Sequence, residues 1–265
     1  MSEPDQCGPP HGLAPHIRKD LTMDSSTPVV FLHAFPLNAA MWEPQRGILG
    51  DRTVLTPDFP GFGGRPVDAP DLERFARTVV DHMDAAGIPR AVVVGLSMGG
   101  YVALRLHALQ PDRVAALVLA DTKAGSDDEA GRAKRTDQAA RVRKEGVEWL
   151  AEALLPALLG ESTRAGRPNV VRTVREMAEK ADPEGVARAL EAMRGRPDST
   201  PGLARIQVPV LALVGEEDTL TPPAEARKIA EGVPDGRLVV IPEAGHLSNL
   251  ESPEAFNDAL MTFLE

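Results

Sequence analysis

Short apolar runs recur along the chain at residues 29–32, 54–55, 91–94, 114–120, 210–214 and 238–241. Each is rich in Val and Leu, and each is bounded by Gly, Pro or Asp. Most lack the strict alternation of a half-exposed strand, so the pattern predicts strands buried on both faces. Helical spacing lies between them. In DLERFARTVVDHMDAAG the apolar positions Leu72, Phe75, Ala76, Val79, Val80 and Met83 follow an i, i+3, i+4, i+7 stripe, and Gly87 closes the segment. Strands alternating with such helices predict an α/β fold whose mostly parallel sheet is flanked by helices.

The rhythm changes over residues 127–194, where helical patterns punctuated by Gly146, Pro156, Gly160, Pro168 and Asp182-Pro183 run on without a strand. Strand rhythm returns at Val208. A pause of that length predicts a helical cap, residues 124–205, inserted between two late strands and lying over the carboxyl ends of the sheet. Residues 28–123 and 206–265 are then the core. Residues 1–27 carry Pro, Gly and charge without periodicity and are expected to form a flexible leader.

The 265 residues suffice for one large domain with a sizeable core. A formal net charge of −10 disfavours nucleic acid and anionic membrane surfaces as partners. The charge is uneven. Between Ala124 and Arg205 there are 15 basic and 14 acidic residues, against 14 and 25 elsewhere. The lone Cys7 allows no intrachain disulfide, and no apolar run reaches the roughly 18 residues of a membrane span, so a cytoplasmic protein is expected. The histidines offer no metal-binding pair on a helix, and neither a Walker loop nor a dinucleotide fingerprint opens a helix, so no metal or cofactor is expected.

Candidate chemistry concentrates at AVVVGLSMGG, residues 91–100, where a strand breaks at Gly95-Leu96-Ser97-Met98-Gly99 and continues as a helix. Such a strand-to-helix turn needs glycine on both flanks and lifts the serine out of the sheet. A serine hydroxyl is a poor nucleophile, so Ser97 needs a base to take its proton and an acid to orient that base. Asp218 follows the strand at 210–214, and His246 follows the one at 238–241, in the order Ser, Asp, His. Glu216, Glu217 and Asp121 are rival acids. His246 has no rival after a late strand, since His11 and His16 fall in the leader and His82 and His107 on helices. Trp42, Trp149 and Tyr101 are read as packing residues before pocket residues, and the arginines of RAKR and RVRK as surface ion pairs before partners of a substrate carboxylate.

Four motifs now stand in order: FLHAFPLNAAMW, DFPGFGGRP, GLSMGG, and GEEDTLTPP followed by AGHLSNLESPEAF. Over residues 28–265 the chain resembles the serine α/β-hydrolase superfamily, and its wording is similar to small bacterial esterases, 3-oxoadipate enol-lactonases and cofactor-free haloperoxidases. The resemblance implies a catalytic triad of Ser97, Asp218 and His246, with an oxyanion hole from the backbone N–H groups of Phe35 and Met98. It also gives His33 a structural, loop-fixing role. Two departures stand out: Ala34 occupies a position where His-Gly wording is commoner, and no strand hairpin is evident before Pro28, which implies fewer than the family's eight strands. The expected activity is cleavage of a small carboxylic ester or lactone through an acyl-enzyme. Perhydrolase or haloperoxidase chemistry, carbon–carbon bond hydrolysis on the same triad, and ligand binding without catalysis are the alternatives.

Overall fold

The computed structural model describes Asp24, residues 26–69 and residues 71–265. Nearly all of the expected leader, with Cys7, His11 and His16, lies outside the described residues. Six strands form one sheet: β1 (Val29–Leu32), β2 (Val54–Leu55), β3 (Ala91–Leu96), β4 (Val114–Ala120), β5 (Val210–Gly215) and β6 (Gly236–Ile241). Their order is β2-β1-β3-β4-β5-β6, and every neighbouring pair is parallel. Because β2 and β3 lie on opposite sides of β1, the carboxyl ends of β1 and β3 flank the crevice where open α/β sheets hold ligands.

Alternation along the strands divides the core in two. Val30, Leu32, Val93, Leu117 and Ala212 join the apolar cluster on one face, while Val29, Phe31, Val92, Val94, Val118 and Leu213 join the cluster on the other. This is the period-2 geometry of a strand buried on both sides. The two edge strands depart from the pattern. Both residues of β2 are half-buried, and β6 exposes Arg237 and Val240, because an edge strand has a neighbour on one side only.

Helices α1 (Glu43–Arg46), α2 (Leu72–Ala85), α3 (Met98–Leu109), α9 (Pro223–Gly232), α10 (Ser248–Glu251) and α11 (Pro253–Leu264) accompany the sheet. All six apolar positions of the α2 stripe are buried, Asp71 caps its first turn by accepting from the Glu73 amide, and Gly87 follows it with φ +66°. Between β4 and β5 the chain forms α4 (Glu129–Glu145), α5 (Glu148–Leu158), α6 (Glu161–Gly166), α7 (Pro168–Glu179) and α8 (Pro183–Arg194). α4 packs along α8 and α5 against α7. Val142, Val186 and Leu190 enter one core cluster and Leu155, Leu158 and Val174 the other. α8 also touches the loop after β2: a Cβ on Gly185 would run into the backbone of Gly61, whose own φ is +84°.

Candidate active site

β3 delivers Ser97 to the crevice. The residue sits at φ +55°, ψ −113°, outside the ordinary regions for an L side chain, with α3 starting at the next position. The turn is possible only because residues 95 and 99 lack a Cβ: one on Gly95 would strike the Gly99 carbonyl, and one on Gly99 the Leu32 carbonyl of the adjacent strand. The Ser97 carbonyl accepts from the Gly100 amide (3.0 Å), the Tyr101 amide (3.2 Å) and the Thr122 hydroxyl (2.8 Å), and the Ser97 amide donates to Ala120 (2.9 Å). The strained backbone is thus held by its neighbours.

Three side chains from distant parts of the sequence meet here. His246 Nε2 lies 2.8 Å from Ser97 Oγ, and His246 Nδ1 lies 2.8 Å from Asp218 Oδ2. An ionised carboxylate can only accept, so Nδ1 carries the proton and Nε2 is left to accept from the serine hydroxyl. Asp218 is itself held in a turn. Its Oδ1 accepts the amides of Leu220 (2.8 Å) and Thr221 (2.9 Å), and its Oδ2 accepts the Thr221 hydroxyl (2.7 Å), which also lies 3.2 Å from His246 Nδ1. Burial pushes the Asp218 carboxyl up, but the electrostatic attraction of His246 and the hydrogen bonds from His246 and Thr221 outweigh it and hold it below the usual carboxylate range.

The rival acids have other partners. Glu217 accepts from the amide and hydroxyl of Ser162 in α6. Glu216 faces the Glu243 amide at 3.5 Å. Asp121, at the end of β4, accepts the Gly215 amide (2.8 Å) and meets the Ser248 hydroxyl and amide, so it ties β4, β5 and the segment after His246 together. Burial, then the nearby Asp218 charge, raise its carboxyl well above the usual carboxylate range.

Phe35 follows β1, and Met98 opens α3. Neither amide donates a hydrogen bond to another group among the described residues, as befits donors aimed at a ligand. The loop carrying Phe35 is built around His33, which is fully buried. His33 Nδ1 donates to the Ala34 carbonyl (3.0 Å), Nε2 accepts from the Phe59 amide (3.1 Å), and the ring packs on Phe59 and Phe62. Burial lowers its pKa to about 4, so the ring is a neutral strut. Ala34 is accommodated because its φ is not positive and its methyl group is buried beside Met41.

A cavity of about 210 Å³ opens above Ser97, His246 and Thr221. Tyr101, Leu158, Leu190 and Met193 form its apolar walls, while Lys123, Asp127, Lys134 and Arg135 gather in its polar one. Of the aromatic candidates, Tyr101 alone lines it. Trp42 packs between Phe31 and Phe256, and Trp149 lies under Arg141 at 3.9 Å. A second cavity of about 340 Å³, bordered by Arg105, His107 and Arg205, contains none of the three converging residues. Thr122 carries no signal in the sequence, and Thr221 only an Asp-x-x-Thr spacing suited to a side-chain-capped turn, while Lys134 and Arg135 belong to the RAKR stretch, read there first as surface ion pairs.

The sequence model of the alpha/beta hydrolase family matches residues 29–259. Among solved structures, a thermophilic esterase from Thermogutta terrifontis, with malate bound, superposes at a TM-score of 0.88 with 39% identity, covering 90% of this chain and 89% of that one. The enol-lactonase from Burkholderia xenovorans LB400 superposes at 0.83 with 31% identity, over 90% and 91% of the two chains. By sequence, 3-oxoadipate enol-lactonase 2 of Acinetobacter baylyi is 30% identical over 171 residues, 64% of this chain and 62% of the relative. Its match therefore spans less than two thirds of that enzyme. With the family pattern running through nearly all of the described chain, and the sheet, elbow and inserted helices in their expected order, the chain belongs to the alpha/beta hydrolase family.

Proposed function

We propose that the protein is a serine hydrolase that cleaves a small carboxylic ester or lactone by way of an acyl-enzyme. The observation that carries the reading is the hydrogen-bonded chain from Ser97 Oγ through His246 to Asp218 on the floor of a cavity, beside the unpartnered amides of Phe35 and Met98. Esterase and enol-lactonase relatives with high structural similarity support it.

In the first half-reaction Ser97 Oγ bonds to the carbonyl carbon as its proton passes to His246 Nε2. The carbonyl π pair moves onto oxygen, where the Phe35 and Met98 amides receive it. Asp218 stabilises the imidazolium and fixes its tautomer. Collapse of the tetrahedral adduct breaks the bond to the alkoxy oxygen, which leaves with the proton from His246 and gives the Ser97 ester. Water then adds to that ester with His246 again as base, and its collapse restores Ser97 and releases the acid. Every proton moved is held by a residue of this chain or by water, so the cycle calls on no cofactor. The cavity is smaller than the roughly 300 Å³ at which drug-sized ligand pockets begin, which favours compact substrates. A small-molecule partner also suits a chain of net charge −10 and, on this reading, a cytoplasmic home, where the single cysteine stays reduced. Among the described residues no helix is long and apolar enough to cross a membrane.

Hydrolysis of p-nitrophenyl acetate and labelling by a fluorophosphonate test the proposal. Ser97→Ala is expected to lose at least about 10⁴-fold in kcat and all labelling. Hydrolysis by the variant at the parent rate overturns it.

A further inference from the structure

The charges around the cavity do not balance. Asp127 is the acidic residue of its wall, and both of its oxygens are taken: Arg135 pairs with Oδ2, and Arg196 with Oδ1 at 2.8 Å. Burial would raise this carboxyl, but the hydrogen bonds from Arg196 and Arg135 outweigh it and hold it ionised. Those two arginines already satisfy the structural need. Arg196 is buried, stacks over Tyr101 at 4.3 Å and anchors on the Gly125 and Met193 carbonyls, while Arg135 joins α4 to the segment before it. Lys123 stands 3.6 Å from Oδ1, beyond hydrogen-bond reach, and Lys134 has no partner among the described residues. Among the described residues that line the cavity, three cations, Lys123, Lys134 and Arg135, therefore stand against one acid, Asp127, which the buried Arg196 also engages.

Several arginines elsewhere on the inserted helices are matched by acids. Arg143 pairs with Glu184 and Glu191, Arg141 with Glu145, Arg175 with Glu152, and Arg188 with Glu184. Both arginines of the RVRK stretch thus have surface acids, whereas Lys134 and Arg135 of RAKR line the cavity. In a chain of net charge −10, an uncompensated cationic wall beside the nucleophile focuses a positive potential on whatever enters.

Resting on the hydrolase reading above, we propose that the substrate is a compact ester or lactone bearing a free carboxylate, which Lys134 and Lys123 receive while Ser97 attacks the carbonyl. Two ammonium groups with unused donors suit the two oxygens of a carboxylate, and the small volume sets the ester only a few bonds away.

The test compares monomethyl glutarate with methyl 5-methylhexanoate, its isostere with an isopropyl group for the carboxylate, by methanol release. The half-ester is expected to have a kcat/KM at least about tenfold higher. The preference should shrink when NaCl rises from about 0.05 to about 0.5 M. Lys134 is exposed, so Lys134→Gln should fold, and it is expected to lower the ratio of the two kcat/KM values about tenfold. Arg172→Gln, which removes the same charge from the exposed face of α7, should leave the ratio unchanged. Turnover of the neutral ester with no preference for the half-ester overturns the carboxylate assignment alone, as does an equal fall of the ratio in both variants. A Ser97 that is labelled in a protein that turns over neither ester also overturns this substrate class, whereas absence of both labelling and turnover removes the hydrolase reading and the carboxylate with it.

Discussion

Asp121 and Asp218 follow neighbouring strands and carry the same functional group, yet their surroundings shift their carboxyls in opposite directions. Asp121 is sealed among β4, β5 and Ser248 with another acid's charge nearby, so burial and repulsion raise its carboxyl. Asp218 is nearly as buried, but an imidazole, a hydroxyl and two amides compensate its charge. In the sequence Asp218 stands ahead of three rival acids, Glu216, Glu217 and Asp121, and it is Asp218 that meets His246 Nδ1 in the structure. Glycine spacing and strand position mark Ser97 and His246 in the sequence. The rivalry among the acids arises because which carboxylate turns inward depends on loop geometry several residues long. Substitution separates the two roles. Asp218→Asn is expected to reduce kcat on p-nitrophenyl acetate by about 10⁴-fold through the wrong imidazole tautomer. Asp121→Asn keeps the shape of a side chain that bonds to Gly215 and Ser248 and to neither Ser97 nor His246, and should keep kcat within about tenfold of the parent. Comparable losses in both would mean that Asp121 shares the charge that orients His246.

At the scale of elements, the sheet was readable because buried parallel strands leave a simple mark, short Val- and Leu-rich runs with punctuating glycine or proline. Where the mark weakened, the structure explains it: β6 is an edge strand, and it starts at Gly236, two residues before its apolar run. The helical insertion was readable from the missing strand rhythm between β4 and β5, but nothing in one dimension says which core loop it touches. That contact is glycine on glycine. Gly185 in the first turn of α8 and Gly61 in the loop after β2 approach so closely that a methyl group on Gly185 must displace backbone, not a flexible side chain. Gly185→Ala is expected to lower stability by about 1–3 kcal/mol, although alanine is the better helix former at an ordinary helical position. The urea midpoint measures it. A midpoint equal to or above the parent's would show that the loop yields freely. Gly166 at the end of α6, whose added Cβ would meet nothing within 4 Å, provides the contrast, and Gly166→Ala should be neutral or stabilising.

For the whole molecule, the buried struts around the site make stability respond to pH in two opposing directions. His33 has its folded pKa depressed from 6.5 to about 4 by burial, so its contribution is fully present above 6.5 and is lost as pH falls toward 4, while only the unfolded chain takes up the proton. Asp121 is the reverse case. Its folded pKa is raised above the model-compound value of 3.8, so its contribution is fully present below 3.8 and is lost as pH rises through the folded value. Over the range in which both groups titrate, the two slopes have opposite signs and offset one another in part. Asp121→Asn removes one of them. The difference in unfolding free energy, variant minus parent, is therefore expected to grow with pH by up to about 1.4 kcal/mol per unit above pH 4, and groups common to both proteins drop out of it. Urea unfolding at intervals from pH 4 to 7 reads this slope directly. A difference that stays level across that range would mean that Asp121 titrates in the folded protein as it does in the unfolded chain, and the order of the two acids, one carboxyl lowered beside the imidazole and one raised by burial behind it, would have to be redrawn.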